Sequence, residues 1–382
     1  MKRLVINQKK FWAKLICLSF SVMLITNCSK QETIRVLSWS GYEEKEIKEY
    51  IEAKIPGVKL EFVTFTGGED MLRKYESNKT NFDFLIVDAE YGKILFDKGE
   101  LSIINVEKRP SIKTAINSDY FEKFKNTSEN IVPGHTVDGD IYCLTVRWGT
   151  LGLVGKESLR DEIENEGYNV LLSEKYQRQI TIFDWYLPNM GIFSLMYLDN
   201  KGLKKNPYDL SNSEIDEMYN TIMRPMRSNI NNFFLELGLV IENTYKEQTA
   251  FVPGIGEWAI GNNMLNGDMS RDWYIPKQGG IMFIEAFAIP KHTESNPEKL
   301  EKVYSILELF TSVELQSKLA WRKAYTAHVP NKNAYKSMTE KQREILKYSE
   351  IEEILDGLHF RKVPENNTVE WINAWSKFKN NR

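Results

Sequence analysis

The sequence predicts an α/β protein of two domains, and three observations carry that prediction. Residues 34–99 alternate strand and helix patterns in the order β-α-β-α-β, which makes a mainly parallel sheet with helices on both faces. About 355 residues follow a short N-terminal leader, more than a single core accommodates. Late in the chain, Ile281-Met282-Phe283-Ile284-Glu285-Ala286-Phe287-Ala288-Ile289-Pro290 is apolar enough to be buried in a sheet.

The elements follow from local chemistry. Ile34-Arg35-Val36-Leu37 reads as a strand. Residues 43–54 place Ile47, Tyr50, Ile51 and Ala53 on one helical face, and Pro56-Gly57 stops that helix. Val58, Leu60 and Phe62 alternate with Lys59 and Glu61 as a second strand. Gly67-Gly68 opens a helix over 69–77, and 82–87 is an apolar strand interrupted by Asp83. A short helix over 91–98 is closed by Gly99. The middle of the chain is less regular, with strands predicted at 141–146, 151–154, 179–183 and 249–252 and a helix at 158–166. Ser211 and Glu214 form a capping box at the start of another helix. Asn296-Pro297-Glu298 is an N-cap with proline at N1, opening a helical stretch to about Trp321. The chain ends helically through Trp371 and Trp375.

The first residues read as an export signal. Lys2, Arg3, Lys9, Lys10 and Lys14 precede an apolar run over 15–25, the length of a signal core rather than of a membrane span. The run ends in Leu24-Ile25-Thr26-Asn27-Cys28-Ser29, which resembles a bacterial lipobox with Cys28 as the lipidated first residue. Asn27 departs from the Gly, Ala or Ser usual before that Cys. An ordinary signal peptide or an uncleaved anchor are the alternatives. All three put the remaining chain outside the cytoplasm, on the periplasmic side or at the cell surface. Cys143 is then the one thiol of the body, so no internal disulfide is expected and the fold rests on its core.

Removing residues 1–27 takes away five basic and no acidic residues and moves the net charge from −3 to −8. An acidic protein argues against a nucleic-acid partner and gives weak support for a cationic ligand. Gly254-Ile255-Gly256-Glu257-Trp258-Ala259 matches a dinucleotide pattern, but Pro253 breaks the strand exit and Glu257 would face a pyrophosphate. It reads instead as a turn into a helix, with Glu257 and Trp258 near a cleft. No phosphate loop, nucleophile elbow or zinc motif occurs, and His135, His292, His328 and His359 lack metal-ligand spacing. Neither an enzyme nor a cofactor is expected.

What remains is a set of aromatic and acidic residues at predicted strand ends. Trp39-Ser40-Gly41-Tyr42 follows the first strand, Asp88-Ala89-Glu90 the third and Asp184-Trp185-Tyr186 the 179–183 strand. Ligands of open parallel sheets bind outside the carboxyl ends of strands. Aromatics there also suit a helix start, and acids suit its dipole. Glu285 lies mid-strand and needs a partner, since a buried unpaired charge costs several kcal/mol. Either a distant basic residue pairs with it, or the strand opens on a cleft where a cationic ligand does. Rings and carboxylates together are what an alkylammonium ligand requires.

These motifs make the chain resemble the periplasmic spermidine/putrescine-binding proteins of polyamine ABC transporters. The resemblance runs from about Ile34 to the C-terminal helices. It rests on Leu37-Ser38-Trp39-Ser40-Gly41-Tyr42, Phe82-Asp83-Phe84-Leu85-Ile86-Val87, Arg147-Trp148-Gly149-Thr150 and the stretch 276–290. It implies a two-lobe, type II-like periplasmic-binding-protein fold, with strands crossing near 141–148 and 285–290 and the ligand between the lobes. The implied division is signal peptide 1–27, tether 28–33, one lobe from 34–143 with 286–326, and the other from 144–285 with 327–382. Trp39 and Tyr42 stand where the family presents rings to the polyamine, and Glu285 where it uses an Asp. Phe283 replaces a Trp, Asp88 and Glu90 replace a Ser and a Tyr, and Asp184-Trp185 replaces two adjacent acids. An acid expected one turn further on is absent, with Pro188 in that region.

The expected ligand set is therefore Trp39, Tyr42, Asp88, Glu90, Asp184, Trp185, Trp258, Phe283 and Glu285. The resemblance implies a monomeric, membrane-anchored lipoprotein that captures a polyamine and delivers it to a membrane-embedded ABC permease. The alternatives are the same scaffold binding a thiamine-like cation, a sugar or an amino acid, or a surface-interaction protein that has lost its ligand. An amino acid or anion would need an Arg near the aromatics, and Arg147 is the candidate.

Overall fold

The computed structural model describes residues 31–117, 119–123, 131–323 and 325–380. Cys28 and the leader lie outside the described residues. Among the described residues no helix is long and apolar enough to cross a membrane.

The strands are β1 (Glu32–Trp39), β2 (Val58–Phe65), β3 (Phe84–Asp88), β4 (Cys143–Lys156), β5 (Ile180–Phe183), β6 (Ile230–Phe234), β7 (Phe251–Ile255), β8 (Arg271–Tyr274), β9 (Gly280–Ala288) and β10 (Leu358–Phe360). They join in the order β2-β1-β3-β9-β4-β7-β5-β6, with β8 added to β4 and β10 to β9. The flanks are parallel, as the alternating strand-helix pattern requires: β2-β1-β3 on one side and β7-β5-β6 on the other. Two long antiparallel strands connect them. β9 pairs with β3 through Glu285–Ala288 and with β10 through Gly280–Met282. β4 pairs with β9 over Cys143–Leu151 and continues to β7 and β8. The protein thus has the two-lobe α/β fold that the resemblance implies, with β4 and β9 passing through both halves.

Burial explains these two strands. All nine residues of β9 and all of β4 but Lys156 are buried, so both faces are covered and apolar side chains dominate. The segments 141–146 and 151–154, read separately in the sequence, are one strand. Arg147 is accommodated inside it because it lies in register with Glu285 and its charge is met there. An extra residue, Val146, is inserted just before it as a β-bulge, a device that re-aims a side chain. A second irregularity at Gly152/Leu153 lets β7 run through Pro253 to Ile255 rather than end before it.

The capping box at Ser211 and Glu214 forms, and Asn296 accepts the Lys299 N–H at 3.1 Å. The stretch expected to run to Trp321 is two helices, Pro297–Thr311 and Val313–Ala320. Ser312 sits between them, where its extended backbone ends one helix and its hydroxyl accepts the Leu315 N–H of the next. Cys143 is buried and unpaired, and burial pushes its thiol up, as for a packing residue.

Candidate ligand-binding site

A cavity of about 400 Å³ opens where the two halves meet. Its walls come from the carboxyl ends of strands on both sides. Trp39 and Ser40 close β1, Phe65 and Thr66 close β2, and Asp88 ends β3. From the other half come Phe183 at the end of β5 and Trp185 just after it, residues 235–238 after β6, and Trp258 on the helix Glu257–Leu265 after β7. Arg147, Leu151, Phe283 and Glu285 of the two through-going strands form the floor, with Tyr325 and Arg361 at its margins.

The aromatic walls are braced from behind. Trp39 packs 4.9 Å from Phe65 and 6.1 Å from Trp185, between ring centroids, and its Nε1–H donates to Asp88 at 2.9 Å. Trp258 meets Phe283 edge-on at 6.0 Å and donates to the Thr150 carbonyl at 3.0 Å. Gly149 makes room for Phe283: a Cβ there would lie 2.4 Å from its ring. Arg361 lies 4.6 Å over Trp185, a cation–π contact strengthened by desolvation.

The floor is a row of charges. Asp88 is in register with Glu285, and Glu285 with Arg147, so three adjacent strands place an acid, an acid and a base side by side. Arg147 donates to Glu285 at 3.2 Å, the Tyr42 hydroxyl donates to the same oxygen at 2.5 Å, and Arg322 approaches to 3.9 Å. Arg361 pairs with Asp88 at 2.8 Å and donates through Nε to Glu90. All three arginines are at most 3% exposed. Burial pushes the Asp88 and Glu90 carboxyls up toward the neutral acid, against the pull of Arg361. Glu257, enclosed behind Phe283, accepts from the Thr150 N–H and hydroxyl and is pushed up to about 7 by burial.

Six of the nine residues expected from the sequence line this cavity: Trp39, Asp88, Trp185, Trp258, Phe283 and Glu285. Three do not. Tyr42 is fully buried beneath Glu285, with the Arg322 guanidinium 4.2 Å over its ring, so it supports the floor and offers no face to a ligand. Glu90 lies in the first turn of the helix Ala89–Asp97 and borders a separate crevice on the far side of Arg361. Asp184 turns to the C-terminal helix, accepting from Trp375 at 2.9 Å and Lys379 at 2.5 Å. Glu285 is paired with a distant base, Arg147, and its strand also opens on the cavity. Arg147 was readable as a candidate; Arg322, Tyr325 and Arg361 were not, for they lie in irregular segments without a motif.

The fold is that of the two-lobe periplasmic binding proteins. No protein-family model matches the chain, and no curated protein sequence does. Solved structures do match. A protein described as a spermidine/putrescine ABC transporter from Listeria monocytogenes is 19% identical, with a TM-score of 0.69 over 92% of this chain and 99% of that one. The spermidine/putrescine ABC transporter substrate-binding protein PotD of Streptococcus pneumoniae is 18% identical, with a TM-score of 0.70 over 91% and 98%. A GABA receptor is 13% identical, with a TM-score of 0.63 over 92% and 98%. At these identities the likeness is one of fold.

Proposed function

We propose that the chain is an extracytoplasmic solute-binding protein that captures a small organic solute between its lobes and presents it to a membrane-embedded ABC permease. One observation carries this reading: the cavity lies at the carboxyl ends of strands from both halves, where closure of the halves would enclose a solute between Trp39, Trp185, Trp258 and Phe283. The neighbours described as ABC transporter and receptor proteins support it. Cys28 would tether the monomer to a membrane by its lipid. The role is capture and delivery rather than catalysis.

Two solute classes suit these walls. A polyamine, the class implied by the sequence resemblance, would lay its alkyl chain on the rings and direct ammonium groups at Asp88 and Glu285. An amino acid would in addition engage Arg147 and Arg361, which line the same cavity.

Thermal unfolding against polyamines, amino acids, sugars and thiamine tests the reading. A true solute stabilises the folded state by about 2.7 kcal/mol at a hundred times its Kd, and small-angle scattering should show compaction. A folded protein that none of these solutes stabilises would overturn it.

A further inference from the structure

The floor of the cavity speaks to the charge of the solute, given the solute-binding reading above. Each floor carboxylate already has a guanidinium: Asp88 has Arg361, and Glu285 has Arg147 with Arg322 behind it. Donors are in excess. Arg147 Nε, Arg361 Nη2 and all three guanidinium nitrogens of Arg322 are buried without a hydrogen-bond partner in the protein, against one such acceptor on the floor, Asp88 Oδ2; of these arginines, Arg147 and Arg361 line the cavity. An ammonium group carries donors only. It would compete with the arginines for the same oxygens and place a further cation among three buried ones. A carboxylate carries acceptors only, and its two oxygens match the guanidinium fork.

The mouth is different. Glu236 lines the cavity from the loop after β6, is exposed, and caps the start of the helix Leu237–Thr244 only through its backbone. No side-chain hydrogen bond or ion pair of Glu236 is present among the described residues. The cavity is therefore donor-rich at its floor and acidic at its rim, with aromatic walls between.

We infer that the solute is an amino-carboxylate zwitterion: its carboxylate sits on Arg147 and Arg361 at the floor, its carbon body lies along Trp39, Trp185 and Phe283, and its ammonium group points to Glu236 at the mouth. Such a solute is neutral overall, and its carboxylate supplies acceptors to Arg147 and Arg361, the two arginines that line the cavity. The polyamine class would leave Arg147 Nε and Arg361 Nη2 unmet.

Calorimetric titration with three four-carbon probes separates the possibilities: 4-aminobutyrate, putrescine and succinate. The zwitterion should bind at least about tenfold more tightly than putrescine, the scale of one hydrogen bond to a charged group. Glu236→Gln, at a site that takes no part in the core, should weaken 4-aminobutyrate roughly threefold, the scale of an exposed ion pair, and leave succinate unweakened. Arg147→Lys keeps the charge beside Glu285 but loses the fork, and should weaken 4-aminobutyrate about tenfold. Putrescine binding as tightly as 4-aminobutyrate would overturn the inference. So would an unchanged ratio of 4-aminobutyrate to succinate in Glu236→Gln, or binding of none of the three. If Arg147→Lys does not fold, the native protein and Glu236→Gln decide. The solute-binding reading falls separately, only if the wider solute panel also fails.

Discussion

Glu285→Gln is the most revealing single substitution because the side chain keeps its shape and loses only its charge. In the folded protein that charge faces Arg147 at 3.2 Å and Arg322 at 3.9 Å. At an effective dielectric constant of about 20, these attractions are worth roughly 5 and 4 kcal/mol. Removing the carboxylate also removes its own desolvation penalty of several kcal/mol, so the net loss is smaller than the sum. Two guanidiniums no more than 2% exposed would remain without their common anion, and the expected cost is about 3–5 kcal/mol of folding stability. Tyr42 loses little, since the Gln carbonyl still accepts its hydroxyl proton. Guanidinium chloride unfolding of both proteins, with the slope checked for constancy, measures the difference. A Glu285→Gln protein as stable as the parent would refute the reasoning, for it would mean that the buried row is not held by charge.

Three further perturbations test other parts of the molecule. Gly149→Ala places a methyl group against the Phe283 ring and the Glu257 carboxylate; the ring should swing into the cavity and weaken solute binding at least about tenfold, and an unchanged Kd from titration would count against the wall as described. Glu257 titrates near 7 in the folded protein against an ordinary 4.5, so its contribution is fully present below 4.5 and is lost as pH rises to about 7. Measured from pH 4.5 to 7, the stability of the native protein relative to Glu257→Gln should therefore fall by roughly 3 kcal/mol, and a pH-independent difference would refute this. Mass spectrometry of the membrane-extracted protein should find residues 1–27 absent and Cys28 carrying lipid; an intact N-terminus with a free Cys28 thiol would refute the anchor.

How much of this was legible in the sequence depended on how local the cause was. The β-α-β-α-β half could be read because its periods are clear and Pro56-Gly57, Gly67-Gly68 and Gly99 mark breaks between its elements. β8 was hidden by its charges: Arg271 belongs in a strand only because the carbonyls of Thr244, Lys246 and Thr249 accept its hydrogen bonds. β10 has three residues and no pattern of its own. In the site, Trp39, Trp185 and Trp258 could be found because aromatics stood at predicted strand ends, and Phe283 came from the resemblance. Glu285 announced its need for a partner but not the partner's identity. Arg361 could not be found, since its contact with Glu90 spans 271 positions and no local rule encodes it. Asp184 shows the converse failure: a strand-end acid placed correctly, whose charge is spent on the C-terminal helix.

The central claim is that a solute is held between the lobes at the β4–β9 crossing, and a crystal structure with a stabilising solute bound tests it most directly. The solute should lie between Trp39, Trp185 and Phe283, above the Asp88–Glu285–Arg147 row, with the two halves closer than in the unliganded protein. A saturating solute found elsewhere on the surface, with this cavity unchanged, would contradict the claim.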